Sequence, residues 1–511
     1  PITWVSGRFD LMATFFILLG IWAYLALNGW RRDFSVVVFF LLAAFSKEVA
    51  ATMPALLFLL YIGRQGQNTA WRSLPQNLFR SGEWKLYALL LVAGTTIIVI
   101  RKLLFGQFAH ADLSVKAALE GPTHHLALIG QTLIFYAKMS VWPISDLNPQ
   151  HPFDPADMTS LMRWVGAITA FSGSMALAIL IRNRRWSGLM LAGWAIALLP
   201  VLNIIPLTIG GNIGHERFLT LPLVFMALCI SSIKLPRMSP AMSRALPGSI
   251  GILSAIFLSV SIANIRLTIP LWANELTLWS WAYARHPDVP FVEASYIGAA
   301  IYYKDFSQAE AALEKAGKKA GNKLNYQLKA IKGIYLAKNN QPDEAIVQFE
   351  DALKEAQPPH EYLLQLGYAL KDVEIARMNA SFWFYRSVYT GLAGAYLDLD
   401  KYEQALNNVQ TALFYAPYYP TAWMLKSLAL YGLDQWDEGE KTFAQAQHYF
   451  ITTAGEQAQD IRVKFLTQLC DKPSASSKVC KNWREEKVNS PSVTTSQIAS
   501  TAVAPISKPK L

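Results

Sequence analysis

The sequence predicts an all-α protein in two halves: a polytopic transmembrane helix bundle over residues 1–270, then an α-solenoid of helical hairpins over 271–485, with a disordered tail over 486–511. Three observations lead there. The chain is 53% hydrophobic and 16% charged, with a mean hydropathy of +0.23, a balance foreign to an entirely cytosolic protein. Its apolar runs crowd the first 270 residues. Beyond them, small and aromatic residues recur at spacings near one helical hairpin.

The bundle is read from runs long enough to cross a bilayer, where a helix of about 20 residues satisfies its own backbone groups. These are Leu11–Asn28, Phe34–Phe45 with Val49–Ile62, Leu86–Leu104, Leu126–Trp142, Leu161–Ile181, Ser187–Leu207, Phe218–Ile233 and Ile250–Ile269. Seven to nine helices are expected. Arg31 and Arg32; Arg64, Arg72, Arg80 and Lys85; Arg182, Arg184 and Arg185; and Lys234, Arg237 and Arg244 mark four loops as cytoplasmic. The remaining connections are mostly acidic and face a periplasm or lumen, although Arg101 and Lys102 fall on that side against the rule. Parity allows two versions. One breaks residues 34–62 into two short helices at Ser46-Lys47-Glu48 and lays Leu126–Trp142 flat on the outer surface; the other keeps 34–62 as a tilted span. The first is preferred because the second exports four basic residues, and both leave everything after about residue 270 extracytoplasmic. Twelve of the sixteen tryptophans precede residue 282, many at helix ends, as interfacial anchors do. The chain opens at Pro1 with neither initiator methionine nor charged leader, which predicts a fragment whose first helix and first outer loop are partly missing.

In the second half, Gly333, Ala345, Phe349, Ala352 and Pro358 fit the tetratricopeptide pattern of small, aromatic and helix-ending residues. Tyr396, Ala405, Ala412 and Pro417 repeat it, as do Trp423, Gly439, Phe443 and Ala446, and an earlier unit runs through Ala309, Leu313 and Ala316. The anchors Ala309 and Ala345 lie 36 apart, and Ala405 and Gly439 lie 34 apart. The 60 residues between Ala345 and Ala405 require one irregular unit around Glu361–Thr390. Such arrays hold polypeptides on a concave face, for which Phe382-Trp383-Phe384-Tyr385 and Tyr418-Tyr419 are candidates; at helical spacing these aromatics read first as core. Cys470 and Cys480 fall in the oxidising compartment and point to a local disulfide, while Cys229 within a span stays reduced.

The net charge of +10 sits mainly in the short loops, so no nucleic-acid partner is expected. No phosphate loop, zincin helix or hydrolase elbow is present, and nothing calls for a metal or a bound cofactor. Gly210-Gly211-Asn212-Ile213-Gly214 lacks the Lys-Ser/Thr of a phosphate loop. His215-Glu216-Arg217 enters the outer face of a span, where charge is costly unless paired or useful; a Glu216–Arg217 interface anchor and a substrate role are both open. Arg8 stands at the outer mouth of the first helix, either as a fork for a lipid phosphate or in a pair with Asp10. Lys47 and Glu48 break an apolar stretch near the same face. Asp146, Asp154, Asp157 and His151 form an acidic outer loop, and His110, His124 and His125 read as surface histidines.

At Trp4-Val5-Ser6-Gly7-Arg8-Phe9-Asp10-Leu11, Ser46-Lys47-Glu48 leading to Pro54, His215-Glu216-Arg217-Phe218-Leu219 leading to Pro222, and Trp272 with Trp279, the chain resembles a known group. These are the multispanning GT-C glycosyltransferases with carboxyl-terminal tetratricopeptide repeats, similar to the transmembrane and tetratricopeptide repeat-containing O-mannosyltransferases. The resemblance implies transfer of a sugar, mannose in that group, from a polyprenyl-phosphate-linked donor to Ser/Thr of a polypeptide acceptor on the outer face. It implies donor-phosphate contacts from Arg8 and Arg217, with Glu216 orienting Arg217 and with Asp10, Lys47, Glu48 and His215 lining the site. The acidic base of that class falls before Pro1, and Phe218 stands where the group has Tyr. The competing expectation is a non-enzymatic membrane-anchored scaffold for envelope or secretory proteins.

Overall fold

The structure, a computed structural model, describes residues 7–105, 121–142, 148–205, 212–233, 240–319, 321, 324–356, 383–450, 453–471 and 477–489. The chain is all-α, with 21 α-helices among the described residues, and it divides into two units, Pro1–Ala299 and Ala300–Leu511. The sequence sets its boundary at 270; the contacts of the following helices carry the first unit to 299.

In the first unit α1 (Gly7–Ala26) and α2 (Gly29–Ser46) form a hairpin, followed by α3 (Met53–Gln65), α4 (Leu74–Arg80), α5 (Trp84–Phe105) and α6 (Pro122–Val141). Then come α7 (Ser160–Asn183), α8 (Trp186–Leu198), α9 (Thr220–Ser231), α10 (Pro240–Thr268) and α11 (Glu275–Arg285). The helix α1 shows how this unit is built. Its buried positions are Gly7, Asp10, Ala13, Thr14, Ile17, Gly20, Ala23 and Tyr24, one face at helical spacing, whereas the large Phe9, Met12, Phe15 and Trp22 are exposed. Bulk outside and small or polar residues inside invert the pattern of a water-soluble helix. Four helical stretches, Gly7–Ala26, Trp84–Leu103, Ser160–Asn183 and Gly248–Trp272, are long and apolar enough to cross a membrane.

Small residues set the close contacts. A Cβ at Gly130 of α6 would fall on the Gly166 carbonyl of α7, and one at Gly166 on the Ala127 carbonyl, so these helices meet backbone to backbone. The helix α6, which the sequence reading lays flat on the outer surface, sends Tyr136 and Met139 into the main core with Leu56, Leu198 and Phe225. Between α2 and α3, Lys47 adopts an extended conformation and Glu48–Thr52 forms a 3-10 turn. The chain then doubles back: Arg64, in the last turn of α3, donates to the Leu25 carbonyl at the end of α1 (3.4 Å) and lies over the Tyr24 ring. Residues 34–62 are thus two helices rather than one tilted span. At the same end Arg32 pairs with Glu83 (2.5 Å), and Arg184 donates to the carbonyls of Gly66 (3.0 Å) and Thr69 (2.7 Å). Three of the four basic loops therefore share one end of the unit; residues 234–239 of the fourth lie outside the described residues.

After α12 (Pro290–Tyr302), most of which belongs to the first unit, the hairpin array runs through α13 (Phe306–Lys319), α14 (Tyr326–Lys338), α15 (Pro342–Glu355), α16 (Trp383–Asp398) and α17 (Tyr402–Tyr415). It closes with α18 (Pro420–Gly432), α19 (Trp436–Tyr449), α20 (Thr453–Cys470) and α21 (Lys478–Asn489). Four turns are built alike. Lys304, Asn340, Asp400 and Asp434 take left-handed φ of 57–61°. The next residue's N–H returns to a carbonyl five positions back: Asp305 to Ala300 (2.8 Å), Gln341 to Leu336, Lys401 to Tyr396 and Gln435 to Leu430 (2.9 Å each). This is a TPR-like repeat written in backbone geometry. Phe349 shows why its small residues are needed: its ring sits where a Cβ on Gly333, in its own hairpin, or on Gly391, in the next, would have to go. Phe384 and Tyr385 join that core, so these aromatics pack the array rather than face a ligand. Much of the irregular unit around Glu361–Thr390, Phe382 and the tail beyond 489 lie outside the described residues. Cys470 and Cys480 form a disulfide with Cα atoms 5.3 Å apart, and Cys229 is free and buried.

Candidate functional site

At the end of the first unit opposite the basic loops, a cavity of about 400 Å³ opens among α1, the 46–52 break, α5, α6 and the segment leading into α9. Its charged lining consists of Asp10, Lys47, Glu48, Arg101 and Arg217; Tyr136, Asn203 and His215 add polar groups, and Val49, Ala197, Val201 and Leu221 are among its apolar walls. Five residues proposed from sequence thus meet here: Asp10, Lys47, Glu48, His215 and Arg217.

Local folding explains each placement. Asp10 lies on the buried small-residue face of α1. Lys47 and Glu48 reach the cavity because the backbone leaves the helix at Lys47. His215 and Arg217 are carried by a loop stitched to another: Ile213 N–H donates to the His151 carbonyl (3.0 Å), His151 N–H to Asn212 Oδ1 (2.6 Å), and Asn212 Nδ2 to Gln150 Oε1 (2.6 Å). Asn203 Nδ2 bonds Thr132 Oγ1 (2.9 Å) and draws α6 into the same network. The His215 N–H reaches the Tyr136 hydroxyl (3.4 Å), against which Gly214 leaves no room for a side chain. Gly210 and Gly211 of that glycine-rich run lie outside the described residues.

Two ion pairs line the cavity. Arg217 Nε stands 4.0 Å from Asp10 Oδ2, with both side chains buried, and Arg101 Nη1 meets Glu48 Oε1 at 3.0 Å with both side chains half open to solvent. Burial pushes the Arg217 guanidinium below its ordinary range, with Asp10 opposing the shift. Burial, with help from Arg217, also pushes His215 down to about 4, so its imidazole is neutral at physiological pH.

Two residues assigned from sequence lie elsewhere than on the cavity wall. Arg8 is exposed and does not line the cavity, because it lies on the outward face of α1, one residue past the buried Gly7. Glu216 turns away from Arg217 and pairs with His151 at 2.7 Å, so the carboxylate beside Arg217 is that of Asp10. His124 is buried and bonds the Pro155 carbonyl (2.9 Å), and His125 bonds the Asn203 carbonyl (2.8 Å); they tie loops together rather than decorate the surface. His110 and Asp146 lie outside the described residues. Sequence reasoning missed Arg101 and Tyr136 as site residues. The signal for Arg101 was its breach of the positive-inside pattern; Tyr136 gave none. Among the described residues no group of three His, Cys, Asp or Glu side chains is placed to hold a metal ion.

No protein-family model matches the chain, and no curated protein matches it. Among solved structures the chain is similar to the crystal structure of the yeast Tom70, at 14% identity and a TM-score of 0.29, covering 93% of this chain and 99% of that one. At that score the likeness enters neither the fold nor the functional assignment.

Proposed function

We propose that the protein is an integral membrane glycosyltransferase that moves a sugar, mannose by its sequence resemblance, from a polyprenyl-phosphate-linked donor to Ser/Thr of a polypeptide acceptor. The observation that carries this reading is the cavity, where Lys47, Arg101 and Arg217 gather beside apolar walls at the end of the unit opposite the basic loops. With those loops cytoplasmic, the cavity faces the periplasm or lumen, and α10 leads outward to extracytoplasmic repeats. A lipid phosphate suits such a place, since its chain is apolar and its headgroup anionic.

In the proposed step the acceptor oxygen bonds the anomeric carbon of the sugar while the bond from that carbon to the phosphate oxygen breaks. The phosphate leaves with the electron pair, and the acceptor's proton passes to a general base, a carboxylate in the group the chain resembles. Negative charge grows on the phosphate, where the Arg217 guanidinium, already in position in a partly dry site, favours the transition state over the ground state. Neutral His215 lines the cavity without adding charge to it. The helical-hairpin array supports binding of a polypeptide, here the acceptor.

The test is to incubate the full-length protein with labelled polyprenyl-phosphate sugars and candidate periplasmic or luminal proteins. Label on the acceptor supports the reading. Absence of both donor binding and transfer overturns it and leaves the membrane-anchored scaffold, which uses the array and gives the cavity no role.

A further inference from the structure

The two ion pairs of the cavity differ in how tightly they are held. Asp10 and Arg217 have side chains 6% and 10% exposed, so separating them strands a charge away from water, and the pair is a fixed element of the wall. Glu48 and Arg101 are 56% and 40% exposed. An exposed ion pair of that kind contributes at most about fivefold to an equilibrium constant, because water replaces each partner at little cost. Arg101 also sits at the outer end of an apolar helix, on the side where a basic residue breaks the orientation rule, and such residues persist where they are paired or used.

We propose that Arg101 is an exchangeable second phosphate-binding residue: it rests on Glu48 in the empty cavity and transfers its guanidinium to the donor phosphate on binding, so that Glu48 competes with the ligand. The inference rests on the reading of the cavity as a phosphate site and deepens it by dividing the work between a fixed arginine and a mobile one. Arg101 and Glu48 come from α5 and the 46–52 turn, so the exchange couples occupancy of the cavity to the contact between these segments. The ligand is recognised as a phosphate ester, and Glu48 screens against weak anions because only a well-placed phosphate offers Arg101 a better partner.

The test measures binding of polyprenyl phosphate, neutral polyprenol and inorganic phosphate to the full-length protein in nanodiscs of uncharged lipid. Glu48→Gln is expected to tighten polyprenyl phosphate binding about threefold, since it removes a competitor worth no more than an exposed pair. Arg101→Ala weakens it about tenfold, as loss of a charge-assisted contact does, and Arg101→Lys falls between. In Glu48→Gln/Arg101→Ala the gain disappears, and polyprenol responds to none of the changes. A purely structural pair predicts the opposite sign for Glu48→Gln, so weaker binding in that variant, or a gain that survives in the double variant, overturns the exchange. Arg217→Ala separates the two levels: if it abolishes binding while Arg101→Ala does nothing, the exchange alone fails, and if neither matters, the phosphate reading fails with it. Inorganic phosphate binding with the same Arg101 dependence supports the exchange and names free phosphate as a ligand.

Discussion

Arg462 in the second unit and Arg217 in the first are both withdrawn from water, and the chain treats them in opposite ways. Arg462 is enclosed: its Nη1 and Nη2 grip both oxygens of Glu486 (3.2 and 2.9 Å), Glu440 and the Tyr431 hydroxyl take its other side, and the rings of Tyr431, Trp436, Phe443 and Trp483 stand 5.3–5.7 Å away. Burial works against its charge, yet Glu486, Tyr431 and Glu440 hold it above its ordinary range. Arg217 has Asp10 at 4.0 Å and opens on a cavity, and burial wins, taking it below that range. A saturated arginine locks helices together. An arginine that lines a cavity stands where an anion that arrives later can reach it.

The largest predicted effect breaks the saturated side. Arg462→Ala removes the link among α19, α20 and α21 and is expected to cost the array about 3–5 kcal/mol, read by thermal or denaturant unfolding of the full chain. Donor binding stays within twofold of wild type. A smaller loss than in an exposed variant such as Lys441→Ala would show that the enclosure contributes nothing.

Next comes a pH effect in the first unit. His215 in the folded chain sits near 4, below its ordinary 6.5, so between these values the unfolded chain holds the extra proton. Stability is therefore full above about pH 6.5, falls as pH drops through that window, and levels below about 4, a change on the order of 3 kcal/mol. In His215→Gln that part of the pH profile flattens, which denaturation curves at several pH values would register.

Reduction gives the third effect. Cys470→Ser opens a short loop that joins α20 to α21 and should cost about 2–3 kcal/mol in the array, with no change in the cavity. The smallest effect sharpens the boundary of the site. Arg8→Ala, on the exposed face of α1, shifts stability by under about 0.5 kcal/mol and donor binding by less than twofold, so a large loss there would return Arg8 to the site.

Legibility followed the range of the interactions. The hairpin turns were readable because each depends on residues close in sequence: Gly333 and Phe349 lie within one helical pair, and the spacing of the anchors repeats in the left-handed residues Lys304, Asn340, Asp400 and Asp434. The helix break at Lys47 was readable because charge interrupts an apolar run. Pairings were not. Glu216 chose His151, 65 residues away, over its neighbour Arg217, and Glu48 chose Arg101, 53 residues away, over Lys47. No local pattern encodes those choices, which depend on which helices pack together. Arg8 and Asp10 show the same limit on a finer scale: two residues apart on one helix, they point to different surroundings, one outward and one into the cavity.

The most direct measurement is binding of labelled polyprenyl-phosphate sugar to the full-length protein carrying Arg217→Ala, with unfolding followed in the same sample. The contrast between the two arginines predicts that donor binding falls at least tenfold in a protein that still folds, with an unfolding midpoint lowered by the buried Asp10 carboxylate left without its pair. Undiminished donor binding by a folded Arg217→Ala protein would contradict it.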